Sequence, residues 1–262
     1  MLKKTFVAIV LILLVIPPFI LGNWLLEALL AVITACAAVE IASLEDGRRH
    51  YLFAVTIFLA IVLMTQTQDV TVSFSISAWL IFMFACDLAL ESMTTDRIAY
   101  TFILTMIITL AWRGVLHIYD DGFNGLTMLF VGIACYVCDS AAYFVGSLIG
   151  RHKMNPRISP HKTWEGAIGG YLIAVVAALL WGYLVIKPFA LQPLPDSLLL
   201  VSSFVLPLMA EIGDLAFSAI KRRWGIKDYG SLLPGHGGVL DRVDSLLFCL
   251  MAFNGLLILW GL

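Results

Sequence analysis

This sequence carries little charge. Only 13% of its 262 residues are Asp, Glu, Lys or Arg, while 61% are hydrophobic and the mean hydropathy is +0.97. An ordinary soluble domain carries about 25% charged and about 45–50% apolar residues, so the balance excludes a soluble globular chain. A formal net charge of −2 leaves no basic surplus for nucleic acid, and none is expected as a partner. Cysteine is also scarce. Cys36, Cys86, Cys135, Cys138 and Cys249 all sit inside apolar runs, which argues against a disulfide framework. No second C-x-x-C and no nearby His completes a site around Cys135 and Cys138, so both read as small packing residues on one helix face. Internal repeats and low-complexity segments are absent, and so is any Ser-His-Asp or Cys-His arrangement for nucleophilic catalysis.

What is present is a series of long apolar runs. A bilayer-spanning helix needs roughly 20 such residues. The runs at 5–22, 24–43, 51–67, 73–91, 98–116, 124–148, 165–186, 198–220 and 243–261 predict an all-α polytopic membrane protein with about nine spans. The start, Lys3-Lys4 before Phe6–Ile16, has the outline of a signal peptide. It lacks a small-x-small cleavage site before Asn23 and is interrupted by Pro17-Pro18, so it reads as a retained first helix. With nine spans and a cytosolic N-terminus, fourteen of the sixteen Lys and Arg residues fall inside and only Arg113 and Lys187 outside. That asymmetry is the expected one, and it puts the C-terminus on the opposite side. The polar connections are short except for 149–164 and 221–242, both cytosolic in this arrangement.

Ionisable groups within membrane spans are costly and mark functional positions by default. Glu27, Glu40, Asp87 and Glu91 lie near span ends and read as interfacial; Glu40, Asp87 and Glu91 are close enough to the inner face to line a cavity there. Asp139 lies deeper, sharing a helix face with Tyr143 at i, i+4. The eighth span carries Glu211 and Asp214 at i, i+3, then Ser218 and Lys221 or Arg222 along the same side. Paired carboxylates on one face suit a hard divalent cation such as Mg2+.

The following loop is the most informative stretch. Lys221, Arg222, Arg223 and Lys227 come first, then glycines at 225, 230, 235, 237 and 238, then Asp241 and Asp244 at i, i+3. A basic cluster, a glycine cradle and paired carboxylates match what a triphosphate and its metal require. Taken singly, the cations are also positive-inside residues and Gly235–Gly238 is also a turn. The other long loop adds Ser159, Lys162 and Thr163 at the entry of the seventh span, where a helix N-terminus attracts phosphate. Thr163 also fits a simple N-cap.

These residues resemble a known family. Ser218-x-Ile220-Lys221-Arg222, Lys227-Asp228 and Pro234-Gly235-His236-Gly237-Gly238-x-Leu240-Asp241-Arg242-x-Asp244 look like the signature of the phosphatidate cytidylyltransferases, or CDP-diacylglycerol synthases. Gly213-Asp214-Leu215, Asp139-Ser140-x-Ala142-Tyr143 and Ser159-Pro160-x-Lys162-Thr163-x-Glu165-Gly166 fit the same family. The matches run from about 139 to 245; the first 120 residues resemble it in hydropathy alone. Phe217, His161 and Tyr229 depart from its usual residues.

The resemblance implies that CTP and phosphatidic acid give CDP-diacylglycerol and pyrophosphate, with Mg2+ and a second cation as the candidate cofactors. It implies that Asp214 and Asp241 hold the metal, with Asp244 and Asp139 completing a second site or orienting the first. Lys221, Arg222, Lys227 and Arg242 would neutralise triphosphate charge. Ser159, Lys162 and Thr163 would bind lipid phosphate or CTP, with Ser218, Gly235, Gly237 and Gly238 also in substrate binding and His236 ordering the glycine loop. Residues 1–120 are then scaffold or homodimer interface and 121–262 the catalytic region, in a bacterial inner membrane with the site facing the cytosol. A CTP-dependent lipid kinase, or a transporter using the same buried carboxylates, remains an alternative at this point.

Overall fold

The computed structural model describes residues 14–45, 47–48, 50–89, 94–120, 122–232 and 237–262. Half of the expected first span, residues 5–13, together with Glu91, Gly235 and His236, lies outside the described residues. The chain is an all-α membrane protein. Its helices are α1 Asn23–Ala42, α2 Tyr51–Gln66, α3 Asp69–Ala89, α4 Thr95–Asp120, α5 Gly125–Ile149, α6 Trp164–Trp181, α7 Asp196–Arg223 and α8 Leu240–Leu259. Helix α6 runs on through a π-turn, Gly182–Ile186, and a last turn, Lys187–Phe189. Seven helices among the described residues are long and apolar enough to cross a membrane, and α2, with 16 residues, is a shorter apolar helix.

Two differences from the expected spans matter for the site. The last helix begins at Leu240 rather than 243, so Asp241 and Asp244 stand in its first turns. The connection at 149–164 is not plain loop. It forms a two-stranded antiparallel hairpin, β1 Lys153–Asn155 with β2 Ser159–Thr163, whose register pairs Lys153 with Thr163 and Asn155 with Ser159.

Close helix approach holds the C-terminal half together. Gly166 and Gly170, one turn apart on α6, face Ala142 and Cys138 on α5. A Cβ at Gly166 would lie 2.7 Å from the Ala142 carbonyl, and one at Gly170 would lie 2.7 Å from the Cys138 carbonyl. Within a membrane, water drives no apolar burial between helices, so backbone approach across small residues supplies the contact instead. Pro207 interrupts the hydrogen-bond ladder of α7. Around it, the Cys138 thiol of α5 donates to the Pro207 carbonyl at 3.5 Å, and the Cys249 thiol of α8 donates to the Leu206 carbonyl at 3.3 Å. The cysteines thus tie three helices together at that level, beyond filling space.

Helix α4 bridges the two ends of the chain. Its Gly114 lies against Leu250 and Asn254 of α8, and His117 shares a 2.8 Å hydrogen bond with Asn254. At its other end, Arg97 donates to the Ala42 carbonyl at 3.0 Å and pairs with Glu45 at 3.2 Å. A cation there complements the negative end of the α1 dipole.

Candidate active site

Helices α5, α7 and α8, the hairpin and the loop before α8 meet around one cavity of about 620 Å3. Helix α5 supplies Asp139, Tyr143 and Ser147, the hairpin supplies Lys153, Ser159, His161, Lys162 and Thr163, and α7 supplies Glu211, Asp214 and Lys221. The remaining wall is Asp228 from the loop and Asp241, Arg242, Asp244 and Ser245 from α8. Such a volume is in the range of small-molecule sites. The mixture of carboxylates and cations is unusual for one set within membrane helices.

Lys162 is the hub. Its ammonium lies 2.6 Å from Glu211 Oε2 and 2.8 Å from Asp214 Oδ2. Burial pulls this ammonium down, but the charges of Asp214 and Glu211 outweigh it and hold Lys162 above the usual lysine range. It therefore stays a cation throughout the physiological range. The hairpin that carries it is fixed from α6. Thr163 caps that helix by accepting from the Gly166 N–H at 3.2 Å, and Glu165 accepts from the Arg151 and His152 backbone N–H groups. Thr163 thus does serve as an N-cap, and it also lines the cavity.

Asp241 has a different kind of environment. Its Oδ1 accepts from Lys221 at 2.7 Å. Its Oδ2 accepts from the backbone N–H groups of Tyr229 at 2.8 Å and Gly238 at 2.9 Å. The side chain is 3% exposed. Each carboxylate oxygen keeps lone-pair capacity, but these contacts first make Asp241 the knot that ties the glycine loop to α8. Gly237 takes φ of 83°, open to glycine, and closes against the Asp241 carboxylate.

The remaining expected residues divide. Ser159, Lys162, Thr163, Lys221, Arg242, Asp139, Asp214, Asp241 and Asp244 converge on the cavity. Arg222 and Lys227 are exposed outside its lining. Arg222 instead donates to the Ile158 carbonyl at 3.2 Å and the Ile226 carbonyl at 2.9 Å, tying α7 to the hairpin and loop. Ser218 is buried in α7 away from the lining. Gly237 and Gly238 wrap the carboxylates of Asp241 and Glu40.

Sequence reasoning undervalued two acids. Glu211 was legible as the partner of Asp214 at i, i+3, and its place is beneath Lys162. Glu40 is buried against protein: it is 5% exposed and accepts from the N–H groups of Val239 and Leu240. No local pattern marks it.

Two departures from the family pattern explain each other. The Phe217 and Tyr229 rings meet edge to face at 5.8 Å, and the Tyr229 hydroxyl donates to the Phe217 carbonyl at 3.2 Å. Burial, then the charges of Asp241, Asp244 and Glu40, push the Tyr229 phenol up, so it remains a donor.

The donor set fits a hard cation chemically, since the carboxylates of Asp139, Asp214, Asp241 and Asp244 are all oxygen ligands around one cavity. Among the described residues no three His, Cys, Asp or Glu side chains are already gathered as a metal cluster. The Lys162 ammonium holds the cation position between Glu211 and Asp214.

Residues 2–260 match the model of the Cytidylyltransferase family. A phosphatidate cytidylyltransferase of Staphylococcus epidermidis is 31% identical over 260 residues, covering 97% of this chain and 98% of that protein. Another, from Bacillus subtilis (strain 168), is 37% identical over 172 residues, 65% of this chain and 62% of that protein. A third, from Brucella suis biovar 1, is 46% identical over 142 residues, covering 54% and 49%. The aligned stretch is thus under two thirds of the Bacillus and Brucella proteins and nearly all of the Staphylococcus one.

Proposed function

Because the chain belongs to the cytidylyltransferase family, we propose that it transfers the cytidylyl group of CTP to phosphatidic acid, giving CDP-diacylglycerol and pyrophosphate. The observation that carries this reading is the convergence of Lys153, Lys162 and Arg242 with Asp139, Asp214 and Asp244 around one cavity. Cations there neutralise phosphate oxygens, and the carboxylates would suit a hard divalent ion. The relatives' printed name supplies the substrates.

In the reaction, an oxygen of the lipid phosphate attacks the α-phosphorus of CTP. A new P–O bond forms, the bond to the β-phosphate bridging oxygen breaks, and pyrophosphate leaves with its charge. The lipid phosphate already carries about −1.5 to −2 charges near neutral pH, so no strong general base is required. Catalysis is then mainly positioning and charge neutralisation. The absence from the sequence of a nucleophile–base pair agrees with this. Lys162 and Arg242, which line the cavity, would meet the phosphates, and Lys221 lines it too, paired with Asp241. Asp214, Asp244, Asp139 and Asp241 are the residues that would hold Mg2+ and a second cation. Bound there, such an ion supplies further neutralisation of the phosphate oxygens.

Positive-inside counting supports nine spans with this cavity open to the cytosol, in a bacterial inner membrane. The sparsely functional N-terminal half suits a homodimer interface. The test is pyrophosphate release by detergent-solubilised protein. It is expected only with CTP and phosphatidic acid together, and to stop with EDTA. Release of CDP instead would make the protein a lipid kinase and overturn the proposal.

A further inference from the structure

Glu40 stands outside the cavity and takes no part in the chemistry above. It nevertheless joins the N-terminal half to the start of α8. Its Oε1 accepts from the Val239 N–H at 2.7 Å and its Oε2 from the Leu240 N–H at 2.9 Å. A helix leaves its first N–H groups without partners. The N-cap residue of α8 is Val239, which has no capping side chain of its own. A carboxylate some 199 residues earlier in the chain supplies the cap instead.

The fit around Glu40 is close. A Cβ at Gly238 would lie 2.6 Å from Glu40 Oε1, and one at Gly230 would lie 2.9 Å from it. Both ends of the described loop therefore pass over this carboxylate as bare backbone. The inner end of α1 is itself held, since Arg97 donates to the Ala42 carbonyl and pairs with Glu45. The residues that follow directly, Asp241, Arg242 and Asp244, all line the cavity.

The geometry points to Glu40 as a positioning residue: from the N-terminal half it sets where α8 begins, and so where Asp241, Arg242 and Asp244 stand in the cavity. The inference rests on the cytidylyl-transfer reading of the cavity. Its structural half, the hold on the loop, stands on its own.

The test uses the full chain in lipid nanodiscs, comparing wild type with Glu40→Gln, Glu40→Ala and Glu40→Asp. Hydrogen–deuterium exchange is followed at residues 226–232 and 237–240 and across helices α5 to α8. Turnover is followed as pyrophosphate release. Glu40→Gln keeps the shape but sets an NH2 group against a backbone N–H, and both it and Glu40→Ala are expected to speed exchange in the loop while the helices stay protected. Turnover should drop about 10- to 100-fold, the usual cost of losing an outer support, in kcat rather than in the KM for phosphatidic acid. Glu40→Asp should recover part of both. Unchanged loop exchange and turnover in Glu40→Gln and Glu40→Ala would overturn the inference. So would equal loss of protection in every helix, which would make Glu40 a general stabiliser. Faster loop exchange in the variants, with no CDP-diacylglycerol formed by the wild-type protein, would sink the reaction reading and leave the anchor standing.

Discussion

The Lys162 ammonium lies 2.8 Å from Asp214, and the same nitrogen lies 2.6 Å from Glu211. One hairpin cation is thus shared by two acids of one transmembrane helix. This arrangement solves a problem that α7 creates for itself. Glu211 is only 6% exposed, and a buried unpaired carboxylate is costly. The strand that delivers Lys162 is then as much a part of the folded bundle as the helices are.

Lys162→Met should therefore fail twice. Stranding Glu211 should destabilise the protein by about 3–5 kcal/mol, read as a lower melting temperature in detergent. Turnover should fall by about 10²- to 10³-fold, as on removal of one charge-stabilising donor. The double variant Lys162→Met/Glu211→Gln separates the two, restoring stability without restoring pyrophosphate release. Recovery of activity in the double variant would remove Lys162 from the phosphate site.

Asp214 offers the converse case. Its side chain is 30% exposed towards the cavity, and Lys162 keeps Glu211 as a partner when Asp214 loses its charge. Asp214→Asn should abolish turnover while membrane insertion and gel-filtration profile stay as in wild type. Normal pyrophosphate release from that variant would exclude Asp214 from the metal site.

The α5–α6 contact predicts a steric effect at a distance from the chemistry. Gly170→Ala would place a methyl 2.7 Å from both the Cys138 carbonyl and the Ala142 Cβ. Overpacking of this kind costs about 1–3 kcal/mol. Since Asp139 lies on the displaced face of α5, activity should drop as well. A melting curve with no shift would show that the helices part without strain.

Phe217 and Tyr229 should be energetically coupled. Each ring is the other's neighbour at 5.8 Å. Truncating both to Ala should differ from the sum of the single changes by about 0.5–3 kcal/mol. Strict additivity in a double-mutant cycle would deny that these two departures from the family pattern compensate one another.

Much of this was legible in the sequence because it is local. Apolar run length placed α1 to α8, and the i, i+3 spacing of Asp241 and Asp244 put both on one face of α8. The hairpin was not legible: its strands have three and five residues, too short for an alternating pattern, and Pro160 sits within the second. Gly166-x-x-x-Gly170 was in plain view as a small-residue pair at one-turn spacing, but it has meaning only once α5 is known to lie against it. Glu40 was the hardest. Its partners are backbone N–H groups from the far end of the chain, and no side-chain pattern encodes such a bond. Arg222 and Lys227 carry the charge expected for phosphate binding, yet helix α7 and its loop turn them outward from the cavity lining. A charge count alone says nothing about direction.

The most direct measurement follows the label of CTP into lipid. Purified protein is given phosphatidic acid with CTP carrying radiolabel at either the α- or the γ-phosphate, and the lipid is extracted and counted. Cytidylyl transfer predicts α-label in the lipid and γ-label in released pyrophosphate. Label from the γ-phosphate in the lipid fraction would mean phosphoryl transfer and would contradict the account.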